Sequence, residues 1–274
     1  MSARRRTTAL LVVPAALLCA CSSGTTATPA TPAPEPTVAS APPAPRPPRA
    51  GACHVLSVTQ ATAPVDPSAP VPCGSRHTSV TVRVARLDLL SDGHLLAVDS
   101  RTARGRAAAA CPQTLLRTVG GDQRAQRLSR FEVVWFTPTP QQADAGADWV
   151  RCDLLALGTA RSLAVLPRHV AGVLGSPAGL DRFGTCGTAA PDARGFQRVA
   201  CAERHSWRAV DVVDLPASAR YLDKAVTATG DAACKSVASA RANGALRFTW
   251  SFEWPTKAQW ASGQRYGYCW LPST

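Results

Sequence analysis

Two stretches of this chain pair a cysteine with a histidine at one spacing: Cys73-Gly-Ser-Arg-His77 and Cys201-Ala-Glu-Arg-His205. Three chemistries suit such a pair. A thiolate and an imidazole four residues apart supply half of a tetrahedral zinc site, which two further cysteines would complete. A histidine near Glu203 and Asp211, with Ser206 beside it, outlines a general base with an orienting acid and a hydroxyl. A cysteine with a distant partner instead forms a disulfide, and the histidine then starts the following strand and bonds a neighbouring loop.

The two copies discriminate among these. The first offers Ser75 and Ser79 but no carboxylate close by until Asp88. A catalytic pair that keeps one role should not lose its acid in one copy. No HExxH, SxxK, nucleophile elbow or paired-carboxylate motif occurs. Zinc sites usually gather ligands in close pairs, and only one pair per copy is close. The expectation is therefore no catalytic residue, no metal and no cofactor. Cys53, Cys73, Cys111, Cys152, Cys186, Cys201, Cys234 and Cys269 are expected in four disulfides. Eight half-cystines allow 105 pairings. Pairing within each half leaves three options per half, of which Cys53–Cys73, Cys111–Cys152, Cys186–Cys201 and Cys234–Cys269 are favoured. Arg76, His77, Arg204 and His205 remain candidate ligand contacts, the arginines because a guanidinium suits an anionic partner.

The elements that must position these residues also repeat. Successive cysteine gaps are 20, 38 and 41 in the first half and 15, 33 and 35 in the second. Phe131, Pro138, Thr139, Gln142, Gly146 and Cys152 fall on Phe248, Pro255, Thr256, Gln259, Gly263 and Cys269 at one offset, 117. After each histidine comes an alternating strand, with Val80, Val82 and Val84 on one face in the first half. A helix is expected at each third cysteine: started by Pro112 in the first half, and capped by Asp231 in the second with Cys234, Val237, Ala238 and Arg241 at helical spacing. A strand follows (131–136 and 248–254), then a Pro-Thr turn, a short helix and a last strand bearing the fourth cysteine. The fold class is α+β, as two tandem homologous β-β-α-β-β modules with two disulfides each. They are expected over residues 51–157 and 183–274, with residues 158–182 as an ordered crossover.

The arginines at 101, 104, 106, 117, 124, 127 and 130 are expected on a solvated surface. Trp250, Trp254, Trp260 and Trp270 read as core, with Trp250, Phe252 and Trp254 on one strand face. The formal net charge is +12, yet 30 basic residues include only three lysines, and no basic stretch alternates with stacking aromatics. A nucleic-acid partner is not expected.

Ahead of the modules, Arg4-Arg5-Arg6 and the apolar run Ala9 to Ala20 read as a signal segment over residues 1–20. Leu18-Cys19-Ala20-Cys21 resembles a bacterial lipobox with Cys21 as the lipidated residue. Residues 21–50 then form a spacer rich in Pro, Ala and Thr, which favours extended polyproline II. The expected location is the extracytoplasmic face of the plasma membrane, held by the lipid.

Gly51-Ala-Cys53, the two Cys-x-x-x-His stretches and Trp260-x-x-Gly-x-Arg265-x-x-x-Cys269 together resemble the septum formation family of actinobacterial envelope proteins, in two tandem copies. The resemblance covers residues 51–157 and 183–271. The family's acidic residue between the opening Gly and Cys is Ala52 here, and the second unit opens Gly184-Thr-Cys186. Ala143 and Asp148 stand where the second half has Trp260 and Arg265, so only that half keeps the Trp-Gly-Arg element as a candidate contact. The resemblance implies a link with division or the wall, and a cell-wall or divisome partner, but no chemistry. The resulting expectation is a non-catalytic envelope lipoprotein that binds or scaffolds. The alternatives are a transport or sensing accessory holding a ligand in the interdomain cleft, and a wall-modifying enzyme.

Overall fold

The computed structural model describes residues 43–273. The expected signal segment, Cys21 and most of the spacer lie outside the described residues. Within them no helix is long and apolar enough to cross a membrane.

The first half contains strand β1 (Cys53–His54), helix α1 (Val58–Ala61), strand β2 (Ser79–Arg86) and the hairpin β3 (Leu90–Ser91) and β4 (His94–Leu95). Helices α2 (Arg101–Ala110), α3 (Thr114–Val119) and α4 (Gln123–Leu128) follow, then β5 (Phe131–Phe136), α5 (Pro140–Asp144) and β6 (Trp149–Ala156). After a 3-10 turn at Val173–Gly175, α6 (Pro177–Phe183) leads into the second half. There β7 (Thr185–Gly187), β8 (Arg198–Ala200) and β9 (Trp207–Asp214) precede α7 (Lys224–Arg241), β10 (Ser251–Glu253), α8 (Lys257–Ala261) and β11 (Tyr266–Pro272).

Each half builds its own antiparallel sheet, ordered β1-β2-β6-β5 and β10-β11-β9-β7-β8. Matching β1, β2, β6 and β5 to β7, β9, β11 and β10 gives one topology used twice. The extra strand β8 has its counterpart in an isolated bridge: Val199 pairs with Cys186, and Val71 pairs with Cys53. Both bridging residues lie two positions before the cysteine of the Cys-x-x-x-His stretch. The central strand pairs share a defect as well. The β2–β6 register skips Val82, and the β9–β11 register skips Val210, at equivalent positions. Such a bulge leaves one residue unpaired and bends the strand.

Local chemistry sets the helix starts. Thr139 and Thr256 cap α5 and α8 through identical capping boxes with Gln142 and Gln259. Each box satisfies two otherwise orphaned N–H groups at the turn before the last strand. Helix α7 begins earlier than Asp231 suggests: Asp223 is its cap and accepts from the N–H groups of Ala225 and Val226 at 3.0 and 3.3 Å. Cys111 lies just past α2 rather than within a helix begun by Pro112. Gly230 stands inside α7 for space: a Cβ there would meet the Phe252 ring at 2.3 Å. Helix and sheet approach so closely at that point that only hydrogen fits.

Burial differs from simple alternation. Ser79 and Thr81, not the valines, are the fully buried residues of β2, while β6 is buried along its whole length. One face of β6 meets α2 through Ala103, Ala107 and Cys111 packed on Val150 and Cys152. The connector closes another side, with Leu166, Val170 and Leu174, and Phe183 just after it, against Val119, Phe131 and Leu154. It is thus a structural part of the first half's core. The described residues pack as one compact unit.

Candidate functional site

The cysteines of both Cys-x-x-x-His stretches are oxidised. The bridges are Cys53–Cys73, Cys111–Cys152, Cys186–Cys201 and Cys234–Cys269. In each half the first ties the opening strand to the loop before the next long strand, and the second ties a helix to the last strand. With no thiolate left, these cysteines hold no zinc. Among the described residues no group of three or more His, Cys, Asp or Glu is arranged to hold a metal ion.

The two histidines repeat one hydrogen bond. The Nδ1–H of His77 donates to the Ser75 carbonyl at 2.9 Å, and that of His205 to the Glu203 carbonyl at 2.7 Å. A backbone oxygen, not a carboxylate, therefore orients each ring. Asp211, the other acid near His205, accepts instead from Arg124 at 2.6 Å. His77 is buried with Nε2 unpartnered, whereas His205 is half-buried. Arg76 and Arg204 are both exposed.

Trp260 and Arg265 do come together. The Arg265 guanidinium lies 4.0 Å above the Trp260 ring, and its Nη1 donates to the Trp260 carbonyl at 2.6 Å. Trp254 stacks behind Trp260 at 5.6 Å with planes 17° apart, and Tyr221 flanks it at 6.0 Å. The α8 capping box and the positive φ of Gly263 set the tight turn that brings this arginine back over the ring. Both Trp260 and Arg265 are half-buried, so a cation–aromatic layer borders solvent. At the equivalent turn of the first half Asp148 pairs with Arg86, and no such layer exists.

Sequence reasoning missed a buried ionic cluster in the first half. Arg151 reaches Asp66 at 2.5 Å and Asp153 at 3.1 Å, all three side chains being nearly inaccessible. Thr81 and Ser79 donate to Asp153 at 2.9 and 3.3 Å. His54 stands 3.9 Å from Asp66. Burial pushes the Asp66 carboxyl up, but hydrogen bonds from Arg151 and Ser68 outweigh it and hold the group below its ordinary value. Burial pushes Asp153 up, against the pull of Arg151. Burial and then the Arg151 charge push His54 down, so its ring favours the neutral form. The cluster pins the Pro-rich loop carrying Asp66 to the central strand. Its one sequence signal is a pair of opposite charges flanking a cysteine, Arg151-Cys152-Asp153, inside an otherwise apolar strand.

Two concave regions stand out. One, of about 930 Å³, is lined by Leu87, Leu89, Leu90, Leu95 and Val98 around the β3–β4 hairpin. The other, of about 240 Å³, lies where α4 and α6 meet β9 and α7, and three arginines line it.

Comparison with known families matches the chain to septum formation over residues 50–269. The chain belongs to the septum formation family. The matched span begins three residues before Cys53 and ends on Cys269, so as a single stretch it takes in all four disulfides and both sheets apart from the last three residues of β11. Comparisons with curated proteins and with solved structures return no match.

Proposed function

We propose that this member of the septum formation family is a non-catalytic binding or scaffolding component of the cell envelope. It is lipidated on Cys21 and held at the extracytoplasmic face of the plasma membrane. The binding role rests on one observation above all, the solvent-bordering stack of Arg265, Trp260 and Trp254. A fixed cation over fixed aromatic rings offers a contact surface at little entropic cost. Four disulfides suit an oxidising exterior. Palmitate labelling lost on Cys21→Ala is the expected result for the anchor, and labelling that persists would remove it. Proximity labelling in dividing cells tests the partner. Divisome or wall components should be enriched around the native protein and depleted around Trp260→Ala. Equal labelling by both would sink the role of the stack. Turnover of a wall substrate that vanishes in His205→Ala would overturn the non-catalytic reading.

A second reading is an accessory that holds a ligand between its modules. The small arginine-lined cavity at their junction favours it.

A further inference from the structure

We propose that this junction cavity binds a phosphate-class oxyanion. Its wall brings together Arg124 of α4, Arg208 of β9 and Arg241 at the end of α7, with Leu128, Leu180 and Gly184 beside them. Arginines from three separate parts of the chain thus line one recess of about 240 Å³. That space is several times a water's share of liquid volume, roughly 30 Å³, and admits a phosphate group together with a few attached atoms.

The bulge explains how the arginines converge. Val210 is the residue that the β9–β11 register skips. Its carbonyl accepts from Nη2 of Arg124 at 2.8 Å and from Nη2 of Arg241 at 3.2 Å. Two like charges are held around one oxygen, an arrangement that repulsion opposes unless negative charge lies near. Two carboxylates supply part of it. Asp211 accepts from Arg124 Nε at 2.6 Å, and Asp181 accepts from Arg208 Nη2 at 2.8 Å. The Asp211 hydrogen bond raises the Arg124 pKa further, so this group stays charged. Arg241 has no carboxylate partner among the described residues, which leaves one positive charge in excess over the trio. Each guanidinium also keeps N–H groups that none of these bonds uses, and a fork of such donors matches the oxygens of a phosphate.

The pocket deepens the second reading above and does not depend on the lipid anchor. Palmitate labelling at Cys21 and anion binding here succeed or fail separately. The ligand is either free phosphate and its monoesters or the phosphodiester of a lipid headgroup. Isothermal titration of the purified full chain at low salt, with inorganic phosphate and with glycerophosphoglycerol, separates the two. Saturable binding of either supports the site, and the tighter of the two names the source. Arg241→Gln should weaken binding about tenfold, the scale of one charge-assisted hydrogen bond, with Arg241→Lys recovering part of it. Asp211→Asn keeps an acceptor but removes a negative charge, so it should tighten binding severalfold. A merely structural role for Asp211 would not produce that gain. Absence of saturable binding by either probe, or an affinity unmoved by Arg241→Gln in a chain with unchanged circular dichroism, would overturn the proposal.

Discussion

Strand β6 carries Arg151 and Asp153 on either side of Cys152, and the equivalent positions around Cys269 on β11 hold Tyr268 and Trp270. The neighbouring strands trade the other way. Phe136 pairs directly with Arg151, and its ring lies 4.4 Å under that guanidinium. In the second half Glu253 pairs directly with Tyr268 and accepts from the Trp270 indole at 3.0 Å. One half therefore places charge on the central strand and the aromatic on the edge, and the other reverses them. The opening strands adjust to match. His54 fills the space beside the ionic cluster, while at its counterpart, Gly187, a Cβ would meet the Phe196 ring at 2.6 Å and Trp270 at 3.1 Å. A shared frame of disulfides, bulge and capping boxes thus accommodates two different interiors. Each bridge closes a loop of 15 to 41 residues, worth about 3–4 kcal/mol in the chain-entropy view. With connectivity secured that way, the filling is free to diverge.

Arg151→Met should separate the two halves by the largest margin. It strands two buried carboxylates, and breaking a buried pair from one side costs about 3–5 kcal/mol. Adding Asp66→Asn and Asp153→Asn should return much of the loss, because most of the cost is uncompensated charge rather than a missing bond. Hydrogen exchange at β2 and β6 reads the first half, and exchange at β9 and β11 reads the second. Loss of protection in the first pair only is the expected pattern. Equal loss in both would mean the halves do not keep separate interiors.

This cluster also shows what the chain's sequence makes legible. Duplication confines the cysteine pairing to within each half and leaves three options there, and the structure has the favoured one in both. Asp66, by contrast, lies 85 positions from Arg151 in a loop that differs between the halves. No local pattern announces that it meets a strand. The bulges at Val82 and Val210 were hidden for a related reason: alternating valines look the same whether or not one residue is skipped. Arg124 and Arg127 read as solvated surface charges, yet tertiary packing turns them across the junction onto Asp211 and Asp214 at 2.6 and 2.5 Å. The Trp-Gly-Arg element puts Trp260 and Arg265 together as candidate contacts, but Trp260 also reads as core, and the stack itself comes only from the fold. Its Trp254 backing, expected as plain core, required the fold.

A smaller effect has a sign of its own. His54 is pushed down by burial and by Arg151, so the stability it contributes is present above its ordinary value of 6.5 and lost as pH falls through the folded value. Asp66, also held low, loses its contribution on further acidification below its ordinary 3.8. Asp153 is pushed up by burial and works oppositely, favouring the folded state as pH falls toward 3.8. Between pH 7.5 and 5, therefore, the wild-type unfolding midpoint should fall more than that of His54→Gln. An identical decline in both proteins would show that this ring does not charge on unfolding. The second half has Gly187 at the same place, and its exchange protection should not share the His54-dependent part.

The smallest effect tests the frame rather than the fillings. Thr139 and Thr256 make the same two-way bond with Gln142 and Gln259, and both lie at the turn into the disulfide-bearing last strand. Loss of such a cap costs about 1 kcal/mol. Thr139→Ala and Thr256→Ala should each lower stability by that amount, read from exchange in their own halves, and should differ by no more than a few tenths. The boxes are exposed and share no hydrogen-bond partner, so their costs should also add in the double variant. Unequal costs would mean that the interiors reach the frame and that the two halves have diverged beyond their fillings. Equal costs beside the one-sided loss from Arg151→Met would separate the inherited scaffold from what each half has since placed inside it.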